Sequence, residues 1–377
     1  MSDSLFSGSV LDQTARRAVF DQVAPGIALG ALRRDGSMRC AYAGRHGLDP
    51  SMPAVDATSL FDLASLTKPL ATWLWAALLL ESGALALEVP VGRYVEVFDP
   101  RLSACPVAHL LSHTSGLPAH REFFRGLLPH VRASLDFSGA RRTINRILRQ
   151  TELERAPGLG EVYSDLGFLL LEQVCAAAEG RELGTRWPTL PFHGVDGASL
   201  HFRPLPAVVP ELGPDPRYVQ TEACPLRGRI VRGEVHDENA WTMGGVAGHA
   251  GLFGSLPWVL RFGEAVARTF RGEGEPLGFS TGLCRRLLDT RVIHPSGTRV
   301  LGWDTPSPGL SSAGTLFGRN TVGHLGFTGT SLWIDLERGN VVSLLTNRVC
   351  PSRKSILIRA FRPQAHDVAW AWAQGIE

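Results

Sequence analysis

Two β-hairpin patterns, one near each end of the 377-residue chain, constrain the fold more than any other feature of the sequence. Residues 26–32 and 38–43 are predicted strands joined by a short turn that contains Asp-Gly. Residues 331–335 and 341–346 flank a second turn, which contains Gly-Asn. Hairpins at both ends of the chain predict one antiparallel sheet to which both termini contribute.

Helical sequence separates the two hairpins. Residues 65–81 are apolar on nearly all sides, which is typical of a helix buried in the core. Pro69 falls in its first turn, where a missing N–H costs little, and Gly83 is a suitable end. Further helices are predicted near residues 106–112, 136–150, 166–179, 257–270, 281–288 and 365–374. Residues 185–230 are rich in Pro and Gly, and we predict an irregular segment on the substrate side.

Together these elements predict an α/β (α+β) fold in which the antiparallel sheet is flanked by helices. A mostly helical subdomain is inserted in the middle of the chain. We assign residues 1–100 and 235–377 to the α/β sandwich domain. Residues 101–234 form the inserted subdomain with its irregular loops.

Composition narrows the function classes. A net charge of +2 and scattered arginines give no electrostatic basis for binding nucleic acid. The six cysteines are widely spaced without a C-x-x-C pair, so we expect free, mostly buried thiols in a reducing compartment. The N-terminus lacks a secretory pattern, and no apolar run reaches the roughly 18 residues that span a membrane. We expect a cytoplasmic protein with no membrane contact; the sequence leaves the oligomeric state open.

Lysine is nearly absent, and one copy lies where a catalytic base would be needed. Of 38 basic residues only Lys68 and Lys354 are lysines, and Lys68 follows Ser65 by three positions. An S-x-x-K pattern at a helix start is typical of an activated serine. A partly buried Lys68 can accept the Ser65 proton, whereas arginine cannot act as a base. The alternative is a serine N-cap followed by a solvated lysine, which the apolar helix disfavours.

Two further segments carry candidate chemistry. Tyr163, one of four tyrosines, precedes an apolar helix and can serve as a general base or proton relay. Alternatively Asp165 caps that helix and Tyr163 packs on it. His324, Gly326 and Phe327 lead into a predicted strand, where glycine allows close approach of a substrate. The amides of Ser65 and Phe327 would form an oxyanion hole; alternatively the segment is a Gly-rich turn that His324 caps.

In this order, Ser65-x-x-Lys68, Tyr163-x-Asp165 and His324-x-Gly326 resemble the serine beta-lactamase and penicillin-binding-protein superfamily. The likeness is greatest to its class C-like branch, which includes D,D-peptidases and esterases. Residues 110–117 are similar to a recurrent segment of that branch. The resemblance implies a transiently acylated Ser65, a base role shared by Lys68 and Tyr163, and a His324 that orients substrate or relays protons. It implies no cofactor.

The motifs also depart from the family pattern. Asp165 stands where the family commonly has Asn, and His324 where it often has Lys. An ionised carboxylate cannot donate to a substrate carbonyl, and a histidine lacks the fixed charge that suits a beta-lactam carboxylate. These departures favour peptidase or esterase relatives.

A fourth segment, residues 228–253, resembles a subgroup that includes muropeptide amidases, which act between N-acetylmuramic acid and L-alanine. We expect its His236 to line the substrate cleft. A metal site formed by His236, Asp237, Glu238 and His249 has unsuitable spacing, so we predict no metal. Arg348 is either a ligand for a substrate carboxylate or a surface arginine.

Three functions follow from these residues. The first is a serine hydrolase that cleaves an amide or ester, with a small molecule or a peptidoglycan fragment as substrate. The second is a carboxylesterase of the same fold. The third is a catalytically silent ligand-binding or sensor module.

Overall fold

The computed structural model describes residues 8–192, 199–205, 215–289, 294–295 and 297–376. The α-helices in these ranges are α1 (Val10–Phe20), α2 (Leu74–Glu81), α3 (Pro100–Ser103), α4 (Ala108–Leu111), α5 (Phe124–Ser134), α6 (Phe137–Arg149), α7 (Asp165–Glu179), α8 (Leu183–Arg186), α9 (Glu238–Thr242), α10 (Leu256–Arg271), α11 (Thr281–Leu287) and α12 (Ile358–Gln374). The strands are β1 (Gly26–Leu32), β2 (Met38–Gly44), β3 (Phe61–Asp62), β4 (His201–Phe202), β5 (Gln220–Cys224), β6 (Arg229–Arg232), β7 (Leu252–Gly254), β8 (Thr321–Leu325), β9 (Ser331–Asp335) and β10 (Val341–Thr346).

The main sheet joins the two ends of the chain. Its strand order is β2-β1-β10-β9-β8, and every neighbouring pair is antiparallel. The two predicted hairpins meet through β1 and β10, where Leu29 lies opposite Leu344. This pairing confirms the predicted sheet. Each hairpin alone would leave the backbone N–H and C=O groups along one strand unpaired, and the other hairpin forms hydrogen bonds with them.

Strand β1 is buried on both faces, and its alternating side chains serve two cores. Ile27 and Leu29 belong to a cluster with residues of α1 and α12 on one face of the sheet. Ala28 and Leu32 point to the larger core, which contains α10 and the buried helices of the middle region. The flanking helical layers of the predicted fold are therefore present on both faces.

The buried helix predicted over residues 65–81 is present in three pieces. A 3-10 turn over Ala64–Leu66 is followed by a stretch with π-helical hydrogen bonding over Lys68–Trp73 and then by α2. Every residue of the π-helical stretch is buried, which confirms the predicted burial. The wider π turn sits directly beside the S-x-x-K serine, and π turns are frequent at functional sites.

Most other predicted helices are confirmed, as α4, α6, α7, α10 and α11. The closing helix predicted over residues 365–374 begins earlier, at Ile358. The irregular segment predicted over residues 185–230 is wrong in part, because β5 and the first half of β6 lie within it and form a hairpin. Residues 193–198 and 206–214 of that segment lie outside the described residues.

Two longer helices, α1 and α5, were not predicted, and neither were the short helices α3, α8 and α9. The buried positions of α1 are Leu11, Ala15 and Ala18, and alanines give a weak apolar signal between charged neighbours. The domain boundaries after residues 100 and 234 stay a prediction.

The six cysteines are free thiols, five of them buried and Cys40 half-buried, which confirms the predicted burial. The reducing compartment stays a prediction. Over the described part of the chain, no helix is both long and apolar enough to cross a membrane.

Candidate active site

Ser65 lies on a tight turn after the short strand β3. The buried Asp62 carboxylate shapes this turn by accepting hydrogen bonds from the Ala64 amide (2.8 Å) and the His236 amide (2.6 Å). Ala64 has a φ of +48°, a left-handed conformation that costs a non-glycine residue about 1 kcal/mol. Packing therefore holds a strained backbone at the residue before Ser65, a feature common at functional sites.

Lys68 is fully buried beneath Ser65. Its Nζ donates to Ser65 Oγ at 3.0 Å, to Asp165 Oδ1 at 2.7 Å and to the carbonyl oxygen of His249 at 3.3 Å. All three ammonium hydrogens have acceptors, so the charged amine is satisfied. The solvated lysine considered from sequence is therefore wrong.

The Lys68–Asp165 ion pair sets the resting charge of the site. Burial by itself would lower the pKa of Lys68, but the Asp165 carboxylate and the nearby Tyr163 together outweigh burial, and the pKa lies above its ordinary value. For Asp165, burial would raise the pKa, yet the Lys68 charge and the hydrogen bond from His120 hold it far below its usual range. The resting site therefore contains an ammonium and a carboxylate.

Asp165 is the first residue of α7, and it is not the N-cap. Ser164 caps the helix by accepting from the Gly167 amide at 3.1 Å. Asp165 is thereby free to bridge Lys68 and His120, whose Nδ1 lies 3.1 Å from Asp165 Oδ2. The interpretation of Asp165 as the cap is wrong, because its neighbour performs that role.

Tyr163 packs its ring among charged and aromatic groups. Lys68 Nζ lies 4.8 Å from the ring centre, and the rings of His113 and His324 lie at 4.8 and 5.8 Å. The buried hydroxyl has no partner at full hydrogen-bond geometry among the described residues, although Lys68 and Ser65 are near enough to act on its ionisation. Burial raises the pKa of Tyr163 despite the nearby ammonium.

His113 is a site residue that sequence reasoning did not assign. Its Nδ1 accepts from the Ser164 amide at 3.0 Å, and burial holds its pKa well below the ordinary value. A neutral His113 thus fixes the start of α7 against Tyr163. The sequence did contain a signal for His113, because it lies within residues 110–117, which are similar to a recurrent segment of the class C-like branch.

His324 lies within strand β8, so its interpretation as a capping residue in a turn is wrong. Its Nδ1 faces the Leu325 carbonyl oxygen at 2.8 Å, which assigns the proton to Nδ1 and leaves Nε2 as an acceptor. Burial, assisted by the Lys68 charge, lowers the pKa of His324 to about 3. A neutral imidazole therefore occupies the position where relatives often carry a fixed positive charge.

Phe327 lies in the turn after β8, and Arg348 clamps that turn. The Arg348 guanidinium donates from Nε to the Phe327 carbonyl oxygen at 2.8 Å and from Nη1 to those of Arg353 and Ser355 at 3.0 Å each. It also lies 4.5 Å from the centre of the Phe327 ring. Arg348 is therefore held in place by these contacts. The N–H groups with which it could bind a substrate carboxylate already donate to backbone carbonyl oxygens.

His236 packs against the same turn. Its ring stacks on Phe327 with centroids 5.6 Å apart, and its Nε2 lies 3.0 Å from Glu222 Oε2. The other members of the metal set considered from sequence are held separately: His249 contacts Asp237, and Glu238 contacts Arg353. Over the described ranges, no group of three or more His, Cys, Asp or Glu side chains is placed to hold a metal ion.

A cavity of about 650 Å³ brings these groups together. Lys68 lies buried under it. The predicted site residues that line the cavity are Ser65, Tyr163, Asp165, His236, His324, Gly326, Phe327 and Arg348. Residues from both chain halves thus converge on one serine.

Gly326 lies too close to the serine segment for any side chain. A Cβ there would meet Thr330 Oγ1 at 2.0 Å and the Leu63 carbonyl oxygen at 2.6 Å. We expect Gly326→Ala to lower the free energy of unfolding by about 1–3 kcal/mol, since backbone must move to relieve the overlap. Urea denaturation measures this change. The control is Gly126→Ala in α5, where a Cβ meets nothing within 4 Å and helix propensity should give a small gain. Equal stability of Gly326→Ala and wild type would contradict this packing.

A family comparison agrees with this geometry. The Beta-lactamase family model matches residues 11–362. The chain belongs to the beta-lactamase family. The match confirms the resemblance inferred from the motifs and the predicted fold class. As a member of a family of serine hydrolases, the chain has the architecture in which a serine nucleophile is expected.

Relatives are distant. One relative is a protein of Escherichia coli (strain K12) that is provisionally named a D-alanyl-D-alanine carboxypeptidase. The two chains are 27% identical over 307 residues, and the match covers 77% of this chain and 69% of the relative. Simvastatin synthase from Aspergillus terreus superposes with a TM-score of 0.68 at 18% identity, covering 98% of this chain and all of its own. A beta-lactamase/D-alanine carboxypeptidase from Pseudomonas syringae superposes with a TM-score of 0.65 at 20% sequence identity, and the match covers 97% of this chain and 98% of that one. At such identities the two solved structures show the fold alone.

Proposed function

We propose that this protein is a serine hydrolase that cleaves an amide or ester through an acyl-enzyme on Ser65. One observation carries the proposal: the buried Lys68 Nζ lies 3.0 Å from Ser65 Oγ at a cavity that also contains Tyr163. A serine hydroxyl is a weak nucleophile until an adjacent base takes its proton. Among the described residues, Lys68 lies within hydrogen-bond distance of that hydroxyl, and Tyr163 lies near enough to Ser65 and Lys68 for them to affect its ionisation.

In the proposed reaction, Ser65 Oγ attacks the substrate carbonyl carbon while its proton passes to the Lys68–Tyr163 pair, which has first lost one proton. The amides of Ser65 and Phe327 stabilise the resulting oxyanion. When the tetrahedral intermediate collapses, the leaving amine or alcohol departs with the proton. A water molecule then attacks the acyl-enzyme by the same route, and the acid is released with Ser65 regenerated.

The substrate class follows from the relatives and from the fourth sequence segment. The Escherichia coli relative is named for cleavage of D-alanyl-D-alanine. The similarity of residues 228–253 to muropeptide amidases points to the N-acetylmuramyl-L-alanine bond. A cell-wall muropeptide is therefore our first candidate, and the cytoplasmic location that we expect from the sequence would suit recovered fragments of this kind.

A silent binding module is the second candidate, and the Lys68–Asp165 ion pair favours it. With Asp165 ionised, Lys68 holds its proton, and burial also keeps Tyr163 protonated. A site whose two bases are both protonated at rest can bind a ligand without turning it over. The two candidates differ in whether deprotonation at higher pH restores hydrolysis.

Product formation from three substrate types tests the proposal. The panel comprises short acyl esters of 4-nitrophenol, muramyl-L-alanine amides and an acyl-D-alanyl-D-alanine peptide, each assayed from pH 6 to about 10 to reach the lysine range. We expect amide cleavage of at least one cell-wall peptide. Turnover of esters alone would make the protein a carboxylesterase. Binding of muropeptide, seen as a raised melting temperature, without product at any pH would establish the silent module.

A further inference from the structure

Among the described residues, four histidines line the cavity, and they differ in how well they could act as a base toward water. The rings of His236 and His249 are buried, and each places Nε2 at 3.0 Å from a carboxylate oxygen. His324 leaves Nε2 as an acceptor, but burial lowers its pKa to about 3, which makes it a weak base. Of these four, His120 remains as a base for water.

His120 is exposed at the cavity, and a carboxylate holds one of its two ring nitrogens. Its side chain is 42% exposed, and its Nδ1 lies 3.1 Å from Asp165 Oδ2. Because the ionised Asp165 can only accept, this contact places a proton on Nδ1. In the neutral ring, Nε2 then carries a lone pair, and no side chain or backbone group of the described residues bonds to it. This nitrogen is therefore available to a water molecule in the cavity.

Asp165 joins His120 to the groups around Ser65. Its Oδ1 accepts from Lys68 Nζ at 2.7 Å, and the same Nζ donates to Ser65 Oγ at 3.0 Å. Asp165, together with Tyr163, keeps Lys68 protonated, so its ammonium is suited to donate a proton to Ser65 and not to take one from water. Hydrolysis of an acyl-enzyme needs a base for water and an acid for the departing serine oxygen. One carboxylate thus contacts a candidate for each role.

We infer that His120 is the base that activates water for hydrolysis of the acyl-enzyme, with Asp165 orienting its ring. The inference rests on the proposed function and gives the second half of that reaction its own base, in place of the Lys68–Tyr163 pair. A carboxylate at Nδ1 fixes the tautomer of a catalytic histidine and stabilises the imidazolium that forms when Nε2 takes a proton.

The inferred step consumes one water molecule and needs no other reactant. After acylation, Lys68 regains one proton from solvent. The water oxygen then bonds to the acyl carbon while one of its protons passes to His120 Nε2. When the tetrahedral intermediate collapses, the bond between the acyl carbon and Ser65 Oγ breaks, and Oγ takes a proton from Lys68 Nζ. The carboxylic acid leaves, and the imidazolium returns its proton to solvent.

A single-turnover experiment with enzyme in excess over 4-nitrophenyl acetate measures the two halves of the reaction separately. Release of 4-nitrophenol reports acylation of Ser65, and loss of acetylated protein, followed by intact mass, reports hydrolysis of the acyl-enzyme. In His120→Gln, hydrolysis should slow by roughly 10²–10⁴-fold, as expected for the loss of a general base, whereas acylation should stay close to the wild-type rate. Acetylated protein should therefore accumulate in the variant.

His130→Gln is the matched control. His130 is an exposed histidine of α5 that lies 3.9 Å from Asp136, outside the cavity, so its replacement should change neither step. Because both histidines are exposed, neither variant should lower the melting temperature much. Imidazole added to acetylated His120→Ala protein should restore part of the hydrolysis rate, which it would not do for a histidine that only supports the fold.

The pH dependence of hydrolysis gives a second readout. The hydrogen bond to Asp165 raises the pKa of His120 against the effect of burial, and the charges of Asp165, Asp237 and Glu122 act in the same direction. Only the neutral ring accepts a proton, so hydrolysis of the wild-type acyl-enzyme should accelerate as the pH rises through this raised pKa. The corresponding inflection should be absent in His120→Gln.

The outcomes distinguish this inference from the proposed function. If wild-type protein forms no acetylated Ser65, the hydrolase proposal fails and the inference fails with it. If His120→Gln forms the acyl-enzyme and hydrolyses it at the wild-type rate, the inference is overturned while the hydrolase proposal stands. Equal losses of acylation and hydrolysis in His120→Gln would also overturn it, because they would assign His120 to shaping the site and not to activating water.

Discussion

Ser65→Ala should abolish covalent labelling by a serine-reactive phosphonate and reduce turnover by a factor of roughly 10³–10⁶. Lys68 Nζ donates to this hydroxyl, and among the described residues no other serine, threonine or cysteine side chain accepts a hydrogen bond from that amine. Intact-mass measurement detects the phosphonate adduct, and steady-state kinetics measures the loss of turnover. Stability should change little, because the replaced side chain is small and partly exposed.

Ser355→Ala is the matched control for labelling. Ser355 lines the same cavity, and its buried hydroxyl has no hydrogen-bond partner among the described residues, so nothing activates it. This variant should still form the adduct. An adduct that survives Ser65→Ala, or one that disappears in Ser355→Ala, would show that the nucleophile has been misassigned.

Asp165→Asn should shift the rising limb of the pH–rate profile toward acid by at least about one pH unit, which corresponds to a roughly tenfold gain in kcat/KM at pH 7. In the wild type, Lys68 and Tyr163 both have raised pKa values, so the deprotonated pair is scarce at neutral pH and the rate should climb as pH increases. Replacing the carboxylate removes the charge that opposes deprotonation of Lys68. Burial, which lowers the pKa of Lys68, then dominates.

The same substitution should cost stability. Asp165 has a depressed pKa in the folded protein, so its contribution is present above the unfolded pKa and is lost as pH falls toward the folded pKa. Breaking a buried pair leaves Lys68 unmatched, and we expect a loss of up to about 3 kcal/mol near neutral pH, limited by the ability of the amine to deprotonate. Thermal unfolding measured from pH 3 to 8 checks the sign: wild type should lose part of its advantage over Asp165→Asn as the pH falls below the unfolded pKa of about 4.

His120→Gln provides the control for the pH profile. It removes the second partner of Asp165 but keeps the carboxylate beside Lys68. The rising limb of the pH–rate profile should therefore not move toward acid. An unshifted limb in Asp165→Asn would mean that the base of the reaction is not coupled to this carboxylate.

Local patterns in the sequence determined a large part of this molecule. The terminal hairpins, the helices of the middle region and the buried segment after Ser65 follow from periodicity and turn residues, which act between near neighbours. The Ser65–Lys68 contact is of the same kind, because residues three positions apart on a helical turn lie side by side.

Only the tertiary structure decided how the charges are partnered. Asp165 reaches Lys68 across 97 residues of sequence, and Arg348 donates to backbone carbonyl oxygens. The Nε of Arg362 is buried without a hydrogen-bond partner among the described residues. The sequence left open whether Arg348 binds a substrate carboxylate or lies on the surface, because spacing cannot tell which guanidinium finds an acceptor. Ion pairing and burial depend on which distant segments the core brings together, and that information lies in packing and not in any local pattern.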